Sequence, residues 1–591
     1  MIGLIAVTAA GRDAAERLAR AWPGQTRGYP GPAAAALPRA WAECDALVCF
    51  LATGATIRLI APLLASKQTD PAVVCVDEAS RHAIALIGGH GSRGNGANAL
   101  ATRVAEVLGA DPVLSTATDA AGLPGLDTLG WPVEGAVAAV SRAMLDGEPV
   151  RLDSDATWPL PAFPPTVLPG QAAGYRILIT DQSRPDQPGA RPGDSGSRPG
   201  DSGPCPSESG PDPSEPGPER TVVLRPPSLA VGVGASRGVS AAEVLGLIDA
   251  TLAGAGLSPL SVAALATVDA KAAEPGITQA AGQRGWPLVS YPATVLAAVS
   301  VPNPSAAALD AVGTPSVAEA AALTRGDVLV AAKHKSAMAT AAVARIRPRG
   351  RLALVGLGPG ARDLLPPRAV AELRRASVVA GLDQYLGQVR DLLRPGTRVL
   401  STGLGAEEER ARAAVTEAQR GHAVALVGSG DAGVYSMASP ALSLAGEDID
   451  VVTVPGITAN LAAAALLGAP LGHDHAVISL SDLNTPWGVI ERRVRAAAEG
   501  DFVITFYNPR SRARDWQLRA ALDLLGAHRP ASTPAAIVRN ANRPGQLITV
   551  TTLGKVDMAA VDMLSLVLVG CSTTQMVAGR MVTPRGYPWQ P

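Results

Sequence analysis

Residues 351–360 read RLALVGLGPG, an apolar run that passes straight into a Gly-Pro turn. Three more turns of this kind follow: GSGDAGVYSMA from Gly428, TVPGITAN from Thr453 and TFYNPRSR from Thr505. Glycine lets a backbone approach a ligand closely, and open α/β sheets take ligands at the carboxyl ends of their strands. Four such turns within about 220 residues describe a trough for an extended small molecule rather than a single phosphate loop. GLGPG lacks the GxGxxG spacing of a dinucleotide fold and the Gly-Lys-Ser/Thr of a triphosphate loop.

The elements that must carry these turns alternate along the chain. Short apolar runs at 352–356, 422–428, 450–454, 476–480, 502–507, 535–539 and 564–570 read as strands with helical stretches between them. The first half has the same rhythm, with runs at 46–52, 72–78, 83–89 and 112–119, then LAVGVGAS, VAALATVD and a last strand DVLVAA. The expectation is an α/β, multidomain protein. Residues 181–220 are almost wholly Pro, Gly, Ser, Asp and Arg, with RPGDSG occurring twice, and predict a disordered linker. A second joint falls at ARIRPRGRLAL near residue 348, read as the end of a helix followed by a new first strand. The predicted domains are 1–135, 136–228 enclosing the linker, 229–347 and 349–591.

Bulk composition excludes several classes. With 51 basic against 52 acidic residues, nothing points to a nucleic-acid partner. Hydrophobic residues make up 47% and aromatics only 3%, so the cores must be built from Ala, Val and Leu. Five scattered cysteines have no metal-ligand spacing and fit a reducing, cytoplasmic setting, with no metal expected. The longest Ala/Leu-rich stretch, 459–471, is too short for a bilayer, which needs about 20 residues, so no membrane partner is expected.

Taken together, GLGPG, GSGDAGVYSMA, VPGITAN, LGHDHAVISLSDLNTPW, TFYNPRSRARDWQL, RNANRPGQ and RMVTPRGY resemble the precorrin methyltransferases of corrin biosynthesis, over residues 351–588. The SLSDL–TPW and YNPRSR–WQL strings most resemble precorrin-3B C-17 methyltransferase. The resemblance implies a class III (tetrapyrrole) methylase fold of two α/β subdomains, a homodimer, a precorrin substrate and S-adenosylmethionine (SAM) in the cleft. It implies that Ser429, Gly430, Asp431 and Val434 hold the amino-acid and ribose portions of SAM. Thr458 and Ala459 would line the other side, Asn508 and Gly570 would lie near the adenine, and Pro359 would sit where the tetrapyrrole meets the methyl group. His473 and Asp474 match the family string and are candidates for proton handling. His475 stands where that string carries an aromatic. Arg510, Arg512, Arg539 and Arg543 lie in polar loops and are either contacts for substrate carboxylates or solvated surface charges.

Residues 49–128 resemble the N-terminal domain of cobalt-precorrin-5A hydrolase, and VGVGASRGVSAAEV, ALATVDAKAAEPGI, SVPNPS and AAKHKSAMATAAVAR, within 229–345, resemble its C-terminal domain. The implied reaction opens a δ-lactone and expels acetaldehyde, which needs a water-activating base and a donor for the oxyanion. Asp77, Glu78, His90 and Asp119 follow predicted strands; Asp77 and His90 are the main candidates, although Asp77 and Asp119 read equally as helix caps. Asp269, Lys271 and Glu274, and Lys333, His334 and Lys335, form two further polar groups. About three extra residues separate His90 from Asn98 relative to the family pattern. The alternative function is a methyltransferase whose first half binds the tetrapyrrole without catalysis.

Overall fold

The computed structural model describes residues 1–65, 69–88, 96–114, 117–183, 216–511 and 514–587. The chain divides into two compact units, Met1–Ala156 with Phe163–Pro348, and Thr157–Ala162 with Arg349–Pro591. His90 and Arg512 lie outside the described residues, as does most of the segment predicted to be disordered.

The first unit holds three sheets. The first has the order Thr26–Gly28, Ile2–Ala6, Ala46–Phe50, Ala72–Val76, His82–Ile87, Asp111–Val113, and only the pairing of Ala72–Val76 with His82–Ile87 is antiparallel. Side chains alternate between the faces of a strand. Val48 and Phe50 therefore pack under Leu18, Leu100 and Val104, while Leu47 and Cys49 face Leu37 and Ala40. The second sheet orders Val133–Gly135, Thr221–Leu224, Tyr175–Ile179, Val150–Ser154 and Val167–Pro169. The third orders Leu288–Tyr291, Val262–Val268, Leu229–Ala235, Ala339–Arg345 and Val328–Lys335.

Three sequence expectations change here. The Ala-rich run before the second joint is the strand Ala339–Arg345, not a helix; it lies between two antiparallel neighbours in the third sheet. Helix propensity lost to pairing, because Ala341, Ala342, Val343 and Ala344 are buried on both faces. Val133–Gly135 pairs with Thr221–Leu224, so the middle sheet begins before residue 136. The ordered chain also reaches further into the Pro/Gly-rich segment than its composition suggests. Asp181 receives two hydrogen bonds from the Arg345 guanidinium, at 2.7 and 3.0 Å, and one from Ser228 Oγ at 2.8 Å.

The second unit contains two five-stranded sheets and a small three-stranded one. In the first, Arg398–Thr402, Val378–Leu382, Ala423–Gly428, Arg351–Gly356 and Asp450–Val454 are all parallel. In the second, His475–Ser479 runs parallel to Val503–Tyr507, and Ser565–Val569, Pro534–Arg539 and Leu547–Thr552 follow in antiparallel pairs. Val378–Leu382, Arg398–Thr402 and Leu547–Thr552 were not among the predicted strands. Thr157–Ala162 belongs to this unit as well. Gly421 has φ +95°, and a Cβ there would meet the Thr157 carbonyl oxygen at 2.6 Å. No helix of the described residues is long and apolar enough to cross a membrane.

Replacing residues 184–215 with a short Gly-Ser linker should leave the thermal unfolding midpoint unchanged, because that composition supports no core. Asp181→Ala should cost about 1–3 kcal/mol, since it strips the partner from Arg345 and Ser228. Thermal and denaturant unfolding of the two variants check both outcomes.

Candidate functional site

The central strand Arg351–Gly356 is flanked by Ala423–Gly428 and Asp450–Val454, and all three are parallel. Their carboxyl ends therefore emerge side by side, and the three following turns touch one another. Gly358 and Gly430 exchange backbone hydrogen bonds of 3.0 and 2.7 Å. A Cβ on Gly356 would come within 2.7 Å of the Gly430 carbonyl oxygen and 2.8 Å of the Gly456 nitrogen. Gly430 itself has φ +66°. The glycines that sequence reasoning assigned to cofactor approach thus serve first to let the turns approach each other. Asp431 closes the arrangement: its carboxylate accepts from Gly433 N at 2.8 Å and from Gly456 N at 3.0 Å.

Two tyrosines join these turns to the second sheet. Tyr507, the last residue of Val503–Tyr507, shares a 2.7 Å hydrogen bond with Thr458 Oγ1 and accepts from Asn460 N at 2.8 Å. Burial raises its pKa, outweighing the contacts with Thr458 and Asn460 that favour the phenolate. Tyr435, with φ +51°, donates to the Val477 carbonyl at 3.0 Å and accepts from Ser479 N at 3.2 Å. His475–Ser479 is an edge strand, so a phenol hydroxyl satisfies backbone groups that a neighbouring strand would otherwise pair. The two rings lie 5.3 Å apart. Asn508, at φ +49°, donates to Ser479 Oγ at 3.1 Å. Gly433, Val434, Tyr435, Ser436, Ser439 and Val477 line an open cleft of about 400 Å³. Sequence reasoning missed both tyrosines. The signal was their position: each ends or follows a strand inside a quoted motif, in a chain with only seven tyrosines.

Other candidates lie elsewhere. His473 and Asp474 precede His475–Ser479, at the end of the sheet opposite Tyr507 and about 16–20 Å from it by strand rise. Both side chains are exposed, and they contact each other at 3.3 Å. Gly570 also lies at that far end, because Val569 pairs with Ile504 in an antiparallel register. Its carbonyl accepts from the buried Arg529. The register therefore separates Gly570 from Asn508 and takes His473 and Asp474 away from the turns. Arg510 is committed to the Met558 carbonyl and Arg539 to Asp562, at 2.5 and 2.9 Å. Ala459 opens the helix Ala459–Leu467 directly after Thr458.

In the first unit, Asp77 sits in the turn between Ala72–Val76 and His82–Ile87 and accepts from His82 N at 2.6 Å. Burial pushes its carboxyl up, but backbone donors from His82, Arg81 and Ala79, with the Arg81 charge, hold it below the ordinary carboxylate value. A carboxylate so committed is a weak base, and the structure assigns it to the hairpin. Glu78 is exposed, and Asp119 lies on the short helix Ala117–Ala120. Glu274 accepts from Gly238 N at 2.7 Å and lies 3.5 Å from Lys271 Nζ. Lys333 Nζ donates to the Asn303 carbonyl. The buried Glu319 carboxylate, another group the sequence reading passed over, receives Asn303 N, Asn303 Nδ2 and Lys333 N at 2.8–3.1 Å.

Comparison with known proteins matches the sequence that builds this site to a family. A family model described as "Tetrapyrrole (Corrin/Porphyrin) Methylases" matches residues 351–557. Over 239 residues the chain is 48% identical to a "Probable cobalt-factor III C(17)-methyltransferase" of Salmonella typhimurium, covering 40% of this chain and 99% of that one. The chain belongs to the tetrapyrrole methylase family. A "Precorrin-3B C(17)-methyltransferase" of Sinorhizobium sp is 40% identical over 249 residues, covering 40% of this chain and 97% of the relative. "Cobalamin biosynthesis protein CobIJ" of Mycobacterium tuberculosis is 42% identical over 249 residues, and there the methylase match spans 40% of this chain and 49% of the relative. Family models described as "Cobalamin synthesis G N-terminal" and "Cobalamin synthesis G C-terminus" match residues 35–119 and 229–344.

Within this methylase unit, Asp431→Ala should raise amide exchange at Gly433 and Gly456 about tenfold or more, because each loses a charge-assisted bond. Unchanged exchange at both would remove Asp431 as the tie. For Asp77 the native carboxyl pKa lies below its unfolded value of 3.8. Its contribution is therefore full above that value and disappears as pH falls through the lower native one. Asp77→Asn should cost roughly 1 kcal/mol at neutral pH and progressively less as pH falls below 3.8, measured by denaturant unfolding.

Proposed function

We propose that this is a bifunctional corrin-ring enzyme. Its second unit methylates C-17 of precorrin-3B, or of the cobalt form, with ring contraction. Its first unit opens the δ-lactone of cobalt-precorrin-5A and releases acetaldehyde. The observation that carries the methylase half is the contact of the turns after Gly356, Gly428 and Val454, joined to the second sheet by Tyr435 and Tyr507, beside an open cleft. Cobalt, where present, arrives as part of the substrate.

The residues present fit SAM. A cleft of about 400 Å³ is within the range of small-molecule sites, and Val434 lines it on a turn that Asp431 holds rigid. Ser429 Oγ and the Thr458 hydroxyl stand on adjacent turns, and Thr458 is fixed by Tyr507. SAM, when bound, supplies an electrophilic methyl group, and its sulfonium charge is lost in an in-line displacement. The chain's own work is alignment, which is catalysis by proximity. The Pro359 turn is held by its bridge to Gly430, and Asn508 is held by Ser479. We further propose that the enzyme is cytoplasmic, which the free, buried thiols of Cys44, Cys49, Cys75 and Cys571 support, and that it is a homodimer through the second unit, as its resemblance implies.

A second reading of the first unit rests on a specific observation. Asp77, Glu274 and Lys333 are each engaged in holding local structure. In that reading the first unit binds the tetrapyrrole without catalysis.

The test is turnover of the full chain with SAM and either precorrin-3B or its cobalt form, with the product structure read by NMR. A parallel reaction with cobalt-precorrin-5A includes an aldehyde trap. C-17 methylation with ring contraction supports the first assignment, and methylation at another position overturns it. Saturable binding of cobalt-precorrin-5A without acetaldehyde selects the second reading of the first unit.

A further inference from the structure

The loop RNANRPGQ, residues 539–546, presents one side chain to the methylase turns. Asn540 and Asn542 adopt φ +51° and +56°, and Gly545 φ +76°. Arg543 N donates to the Asn540 carbonyl at 2.9 Å, Gln546 N to the Arg543 carbonyl at 3.1 Å, and Asn542 N to Gln546 Oε1 at 2.8 Å. The two left-handed asparagines cost backbone strain, and the loop's own internal hydrogen bonds hold it in place. What it holds is Arg543.

The half-buried Arg543 side chain reaches two of the three converging turns. Its Nε donates to the Pro359 carbonyl and its Nη2 to Ser429 Oγ. The guanidinium carbon lies 5.9 Å from the centre of the Tyr385 ring. The opposing turn is shaped to admit it: Gly360 has φ +133°, and a Cβ there would stand 2.7 Å from Arg543 Cγ and 2.8 Å from Nε. Guanidinium carries five donors in a fixed plane. One edge is spent on the turns, while Nη1 makes no hydrogen bond among the described residues.

We propose that Arg543 couples the two ligands of the methylase site. One edge of its guanidinium fixes the Pro359 and Ser429 turns that face the methyl donor. The free Nη1 edge takes a carboxylate of a polycarboxylate macrocycle. Docking of an acidic acceptor then draws on the same side chain that sets the donor turns, so each ligand strengthens the other. Coupling of this kind is reciprocal. Arg543 is thus a positioning residue on the donor side and a binding residue on the acceptor side. Lysine cannot replace it, because an ammonium is a point charge with no second edge.

This inference rests on the methylase reading above. Its test is calorimetric titration of the full-length protein with S-adenosylhomocysteine, with and without uroporphyrin III as a stable polycarboxylate tetrapyrrole. For the parent protein, uroporphyrin III should tighten S-adenosylhomocysteine binding several-fold. In Arg543→Gln that tightening should vanish, and S-adenosylhomocysteine alone should bind about tenfold more weakly. Arg543→Lys should keep part of the porphyrin affinity and still lose the coupling, which a merely structural role would not produce. Gly360→Ala displaces the side chain without changing its charge and should lose the coupling too. A parent protein that binds S-adenosylhomocysteine without coupling, or an Arg543→Gln protein that retains it, overturns the inference and leaves the methylase reading intact. A parent protein that binds no S-adenosylhomocysteine overturns that reading itself.

Discussion

Three backbone turns occupy a space with no room for a single additional carbon. Gly356, Gly430 and Gly456 are in direct main-chain contact at the ends of adjacent parallel strands, and one carboxylate, that of Asp431, ties two of the turns. The link between the two large sheets of the methylase unit is registered against this knot. The turns can be this close only because the strands that feed them are parallel neighbours. The two tyrosines that join the halves then have fixed targets. Tyr507 meets the turn after Val454, and Tyr435, carried on the turn after Gly428, reaches out to the open edge of the second sheet. A side chain at Gly356 or Gly456 would push the turns apart, and one at Gly430 would strain its left-handed backbone.

The motifs were legible in sequence because glycine is permitted in few places for so many good reasons. What they meant was only partly legible. The same GSGDAG string that reads as a ligand loop also satisfies the steric demand of loop on loop, and sequence cannot separate the two. Strand positions came through where the apolar run was long, as at 502–507 and 564–570. They were lost where the strand contained a glycine, as in Val378–Leu382, or where exposed residues broke the pattern, as in Leu547–Thr552. His473 and Asp474 show a different limit. They share a motif with residues near the cleft, yet register places them at the far end of the strand, and register is not visible in one sequence. Gly570 fails as a neighbour of Asn508 for the same reason, since its strand runs the other way.

In the first unit, small residues take the place of bulky packing. The helix Val317–Arg325 lies against Gly232 and presents Ala318, Ala320, Ala321 and Ala322, all fully buried. With so few aromatics, close approach of backbones replaces the filling of gaps by large side chains. This is why a run such as MATAAVAR, helical by propensity, can be the strand beside Leu229–Ala235. It also explains the burial of Glu319: it is on this tightly packed helix, and its carboxylate is stabilised by donors from Asn303 and Lys333 rather than by water.

The residues Thr157–Ala162 carry a consequence for synthesis. They belong to the methylase unit but leave the ribosome long before it does. Their contact at Gly421 is encoded about 260 residues later, roughly 13–50 s at 5–20 residues per second. For that interval a short apolar stretch with Trp158 and Leu160 has no home, while the sheets on either side of it in sequence are assembling. The nascent chain must therefore carry this segment until the unit it belongs to is made, and a cut near residue 348 would leave those six residues on the fragment that lacks the rest of their unit.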